Sequence, residues 1–77
     1  MQTKYSDQYR DIGRRISFYR GKAGLSQQEL ADRVGISKSY LSKIEAPGSG
    51  KPCSLEVLYD ISKALGIEII NFFTESG

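Results

Sequence analysis

The sequence predicts an all-α domain, and three observations predict it. Ser26 followed three residues later by Glu29 forms a capping box ahead of apolar residues recurring at three and four positions. The same helical spacing governs the stretches 7–22, 37–45 and 54–65, and glycines at 35 and 66 stand where two of these stripes stop. With 77 residues the chain has room for one domain, spanning 1–77, with a modest core.

Taken in order, residues 1–5 have no periodicity and read as a frayed arm. From 7 to about 22, Ile12, Ile16, Tyr19 and Ala23 mark an amphipathic helix, with Ser6 or Asp7 able to cap its start and Gly21 and Gly24 marking its end. Its Arg10, Arg14, Arg15 and Lys22 read as a solvated face. The next helix begins at Ser26, carries Leu30, Ala31 and Val34 on one stripe and ends at Gly35, which can take a positive φ at little cost. Ala31 is small enough to let a neighbouring helix cross close by. Ile36 is the buried residue of a tight turn, and Ser37 caps a third helix over about 37–45, whose inward positions are Leu41 and Ile44. Residues 46–53 hold two prolines and two glycines and form a loop. Ser54 caps the fourth helix, with Leu55, Leu58, Ile61 and Leu65 as its stripe and Gly66 as its stop. Residues 67–75 make a short final helix or turn with more apolar residues than one face can bury.

Composition narrows the chemistry. The chain has no histidine and one cysteine, which excludes an internal disulfide, the usual zinc sets and histidine acid–base catalysis. Cys53 reads as a small packing or surface residue, and the expectation is no enzyme, no metal, no cofactor and no small-molecule ligand. No run of eighteen apolar residues and no signal-peptide pattern is present, which places the protein in the cytoplasm with no membrane partner. The charge is uneven: residues 1–51 hold ten Lys/Arg and five Asp/Glu, net +5, whereas 52–77 hold one and four, net −3. Such asymmetry favours a nucleic-acid face on one side of the domain.

The helix pair at 26–45 supplies that face. Steps of 100° put Ser39, Ser42 and Lys43 opposite Leu41 and Ile44, with Lys38 and Tyr40 on the flanks, and no acidic residue precedes Glu45. Short hydroxyls and lysines on an exposed helix suit the base edges of a DNA major groove. Base contacts are therefore expected from Lys38, Ser39, Ser42 and Lys43, with Ser37 and Tyr40 at the edges. An ordinary amphipathic helix pair with a merely solvated polar face is the plainer alternative. The joint spacing of Leu30, Ala31, Val34, Gly35, Ile36, Leu41 and Ile44 argues for a helix-turn-helix instead.

Through LSQQELADRVGISKSYLSKIE and the later SLEVLYDISKALGI, the sequence resembles the Cro/repressor-type (Xre-like) helix-turn-helix transcriptional regulators, over about residues 12–73. The resemblance implies a compact bundle of about five helices of the lambda-repressor-like DNA-binding type, with the third in the major groove. It implies that Gln27 donates to a phosphate, assisted by Ser26, Gln28 and the amides at that helix N-terminus. It also implies a structural ion pair between Arg20 and Glu45, whose fork and carboxylate match through two parallel hydrogen bonds. Ile67, Ile69 and Phe72 are assigned to the core, which leaves Ile70 and Phe73 as a dimer interface. The partner is then double-stranded DNA bearing an inverted-repeat operator, bound by a homodimer. One departure stands out: APGSGKPC, 46–53, is longer than the usual connection and leaves the backbone contacts there unassigned. Two rivals share the architecture: an antitoxin or restriction-modification controller with the same DNA-binding domain, and a protein-interaction module that has lost DNA binding.

Overall fold

A computed structural model describes residues 4–74. Four α-helices and a closing 3-10 turn follow one another: α1 over Ser6–Lys22, α2 over Gln27–Val34, α3 over Lys38–Glu45, α4 over Leu55–Leu65, and the turn over Ile69–Phe72. Among the described residues the about five helices expected are thus four and a 3-10 turn, because Ile69–Phe72 winds with 3-10 hydrogen bonds and goes no further than Phe73. The frayed arm expected over 1–5 falls outside the described residues at positions 1–3, as does the end of the final segment at Glu75.

The start of α1 differs from the sequence reading. Tyr5 is its N-cap, with no side-chain cap, and Ser6 and Asp7 are already helical. Asp7 instead accepts from Arg10 at 2.7 Å. Gly21 lies inside the helix, and Ala23 follows it exposed; Gly24, with φ 74°, makes the actual turn. Ser54 caps α4 through the Val57 amide and Gly66 ends it in the left-handed region. Leu55 at its first position is exposed, and the inward positions are Leu58, Ile61 and the small Ser62, whose hydroxyl donates to the Tyr59 carbonyl.

One core gathers Ile12 and Ile16 from α1, Leu30 and Ala31 from α2, Leu41 and Ile44 from α3, Leu58 and Ile61 from α4, and Phe72 from the closing turn. Val34, Ile36, Cys53, Leu65, Ile67 and Ile69 are half-buried around it, so Phe72 carries the closing turn's anchorage while Ile67 and Ile69 pack at the margin. Burying such side chains at about 25 cal/mol per Å² of apolar surface is the main force holding the helices together. α3 lies between α1 and α2, while α4 backs α2. The closing turn docks on α1: the Arg15 guanidinium donates to the Phe72 carbonyl at 3.3 Å, and the Tyr19 hydroxyl donates to the Asn71 Oδ1 at 3.3 Å. Arg15 is therefore part of the packing rather than of a solvated face.

Gly13 sets how near α1 comes to α3. A Cβ at this position would run into the Ile44 carbonyl oxygen far inside van der Waals contact, and the obstacle is backbone, which cannot swing away. Glycine is what permits the crossing.

Candidate nucleic-acid interface

The geometry of α3 begins with α2. The Ser26 hydroxyl accepts from the Glu29 amide at 3.0 Å while the Glu29 carboxylate accepts from the Ser26 amide at 2.8 Å, closing the capping box. Hydrogen bonding of the carboxylate to the Ser26 amide first, and to the Ser26 hydroxyl second, holds the Glu29 carboxyl below its ordinary pKa. Gly35 ends α2 with φ 85°, and the amides of Gly35 and Ile36 both reach back to the Ala31 carbonyl. The chain then enters α3 at Ser37, whose hydroxyl accepts from the Tyr40 amide at 3.0 Å.

Leu41 and Ile44 face inward and are fully buried. Ser37, Lys38, Ser39, Ser42 and Lys43 are exposed, and Tyr40 is half-buried. The outward surface of α3 is thus a row of hydroxyls and two ammonium groups with no carboxylate among them. Hydroxyls can donate or accept, and lysine donates only, so the row can address base acceptors and phosphate oxygens without repelling either.

The far end of α3 is held by Glu45, whose side chain is only 4% exposed. The Arg20 fork meets it squarely: Nε donates to Oε2 and Nη2 to Oε1, each at 2.9 Å. The remaining Arg20 nitrogen donates to the Leu25 carbonyl at 2.8 Å, in the connection between α1 and α2. The carboxylate bonds raise the Arg20 pKa above its ordinary value. Gln27 joins the same group, its Nε2 donating to Glu45 Oε1 at 3.0 Å. One carboxylate therefore ties together α1, the start of α2 and the end of α3, each bond charge-assisted.

The side chains expected to hold phosphate all make bonds within the protein. Ser26 caps α2, Gln28 donates to Asp32 at 2.9 Å, and Gln27 donates to Glu45. An amide nitrogen carries two hydrogens, so Gln27 and Gln28 each keep one for a further acceptor. Ile70 and Phe73 lie on the opposite part of the sequence and are 59% and 48% exposed. Tyr59 is exposed as well, so these side chains are not folded away against α4.

Three contributors escaped the sequence reading: Gly13, the Arg15 and Tyr19 bonds to the closing turn, and Ser49, whose hydroxyl donates to the Lys43 carbonyl at the end of α3. The first two depend on a tertiary approach between distant positions and the third on the path of an irregular loop, for which neither composition nor periodicity leaves a signal. Among the described residues no three His, Cys, Asp or Glu side chains are grouped to hold a metal ion, and no helix is long and apolar enough to cross a membrane.

A small helical bundle presenting one capped helix, whose exposed face carries no acid, behind a glycine turn defines a helix-turn-helix protein. The chain belongs to that family: the Helix-turn-helix model HTH_3 matches residues 16–71. It is similar to the HTH-type transcriptional regulator SinR of Bacillus subtilis (strain 168), with 39% identity over 64 residues, covering 83% of this chain and 57% of SinR. The chain therefore spans little more than half of that relative. Among solved structures it resembles the restriction-modification controller protein C.AhdI from Aeromonas hydrophila, with TM-score 0.79 and 31% identity over 87% of this chain and 98% of that one. It also resembles SinR, the master regulator for biofilm formation, solved in complex with DNA, with TM-score 0.74 and 38% identity over 82% of this chain and 98% of that one.

Proposed function

We propose that this protein is a sequence-specific double-stranded DNA-binding transcriptional regulator, acting in the cytoplasm by occupying an operator through α3. The observation that carries the reading is the outward face of α3, where Ser37, Lys38, Ser39, Ser42 and Lys43 stand exposed on a helix fixed at both ends. In this reading Lys38, Ser39, Ser42 and Lys43 touch base edges, with Ser37 and Tyr40 at the margins. Gln27, Gln28 and Ser26 bind phosphate beside the α2 N-terminus, where free amides and the helix dipole favour an anion. SinR's structure with DNA, at 38% identity, supports the choice of duplex DNA as ligand.

A dimer through Ile70 and Phe73 completes the proposal, because one recognition helix reads only a few base pairs. The described domain measures 30 × 30 × 20 Å. Two copies abutting across such a width can set their α3 helices about 34 Å apart, one turn of duplex, which calls for an inverted repeat with half-sites about 10 base pairs apart.

Selection from a random duplex pool, followed by titration against salt, tests the function. Enrichment of an inverted repeat is expected, with log K falling against log salt at a slope of about −3 to −4 per subunit if roughly four phosphates are neutralised. A pool that stays random together with a flat salt response would falsify the DNA reading and favour a protein-interaction module. The likeness to C.AhdI, along almost all of that protein, favours a second setting for the same chemistry, control of a restriction-modification system. Operators lying beside restriction and modification genes would select it.

A further inference from the structure

Phe18 on α1 is 51% exposed, and nothing proposed so far uses it. Its surroundings are the closing turn. The Phe18 ring meets Tyr19 edge-on with centroids 5.1 Å apart, and Tyr19 lies edge-on to Phe72 at 6.3 Å and donates to Asn71. Arg15, three positions before Phe18, reaches the Phe72 carbonyl. Phe18 thus lies along the side of α1 on which the turn docks, beside the exposed Ile70 within the turn and Phe73 just after it. Gly13, which meets α3, falls about 140° away around the helix, so this aromatic stands well clear of the face that holds α3. One turn on, the Lys22 ammonium lies 5.4 Å from the centre of the Phe18 ring, and its aliphatic stem borders the ring while the charge stays in water.

The area that pairing requires decides what such a residue is for. A specific contact hides about 800 Å² on each partner, whereas one aromatic side chain supplies roughly 150–250 Å². Ile70 and Phe73, each already half covered, provide a small part of that. A second copy resting on them alone would leave the neighbouring Phe18 wet at the edge of the contact. We infer that Phe18 belongs to the surface by which two copies of this chain pair, so that the contact joins α1 to the closing turn, with the Lys22 stem at its border. The inference rests on the dimer proposed above and adds to it a residue from a different element. Under two-fold symmetry every such side chain counts twice, which gives one aromatic a large effect on assembly. Phe18 also stands two residues before Arg20, so the pairing surface and the latch on Glu45 share one turn of α1.

The test uses the whole chain, a full inverted repeat obtained by selection, and a duplex carrying one half-site. Phe18→Lys is expected to leave half-site affinity unchanged and to raise the protein concentration that half-fills the full repeat by about 10-fold or more, with cooperativity lost. Phe18→Leu, which keeps an apolar side chain, should retain most of the wild-type cooperativity. The chain contains no tryptophan, so Phe18→Trp supplies a single reporter. Its emission should shift to the blue on the full repeat and stay unchanged on the half-site; the same emission on both would count against the inference. Circular dichroism melts of each variant separate a lost contact from a lost fold. If Ile70→Lys/Phe73→Lys loses cooperativity while Phe18→Lys keeps it, the inference is wrong and the dimer reading stands. Equal losses on half-site and full repeat would overturn it too, by placing Phe18 in the grip on DNA rather than between copies. If both variants fill the full repeat as cooperatively as wild type, the closing-turn interface falls and takes this role with it.

Discussion

Glu45 is the residue on which most depends. Its carboxylate is almost wholly shielded from water and receives three hydrogen bonds, two from Arg20 and one from Gln27, while the Arg20 side chain is 18% exposed. Removing one member of such a pair strands the other charge in a poorly hydrated site, which costs more than the pair itself contributes. Glu45→Gln and Arg20→Met are each expected to cost roughly 3 kcal/mol, and the double variant clearly less than the sum. Denaturant unfolding of the four proteins measures the coupling; additive losses would show that the pair contributes nothing as a unit. The duty of Glu45 was partly legible in the sequence, because its place at the end of a stripe, with Arg20 one position after Tyr19, puts both near the inner face. Gln27 as its third partner was not legible. A glutamine at a helix N-terminus carries no mark that tells an inward bond from an outward one.

At the scale of the element, caps and stops were readable because they are local. Ser26, Ser37 and Ser54 each accept the amide three residues on, and Gly35 and Gly66 take positive φ, all within a few residues of the signal. The start of α1 was misread for a related reason. Ser6 and Asp7 are good caps in isolation, yet Tyr5 is the N-cap and the Ser6 backbone lies close against Gly50, a tertiary approach that no local signal announces. The capping box of α2 also carries a pH dependence. Hydrogen bonds from Ser26 lower the Glu29 pKa below its ordinary value of 4.5 in the folded state. Its contribution is therefore present above pH 4.5 and is lost as pH falls through the folded pKa. Thermal melts of wild type and Glu29→Gln should diverge at neutral pH and converge in acid; a constant gap would contradict the linkage. For α3 the division of labour is measurable in binding. Lys43→Ala should relax preference at one or two base pairs and cost about 1–3 kcal/mol at the preferred site, whereas Gln27→Ala should weaken every duplex alike. Selection repeated with each variant distinguishes the two, and identical binding motifs from wild type and Lys43→Ala would remove Lys43 from the reading set.

For the whole molecule, the apolar pair Ile70 and Phe73 decides assembly. Both are about half exposed, Ile70 within the closing turn and Phe73 just after it, while Phe72 between them in sequence is fully buried. Ile70→Lys/Phe73→Lys is expected to leave the fold intact while abolishing cooperative occupancy of an inverted repeat; sedimentation and titration with half and full sites report this. Equal cooperativity in wild type and variant would place the interface elsewhere. The all-α class, the order of the helices and the exposed row on α3 could all be read from periodicity, since these follow from which side chains shun water. What stayed hidden was how the helices approach one another, as with Gly13 beneath the Ile44 carbonyl and Arg15 on Phe72.

The shared carboxylate at Glu45 joins the start of α2 to the end of α3, so the side chain proposed to grip the sugar-phosphate rail and the helix proposed to enter the groove form one rigid caliper. A caliper with fixed jaws leaves fitting to the softer body between them. Base pairs that no side chain touches will then still affect affinity, through how readily each local sequence narrows, twists or bends to the jaw spacing.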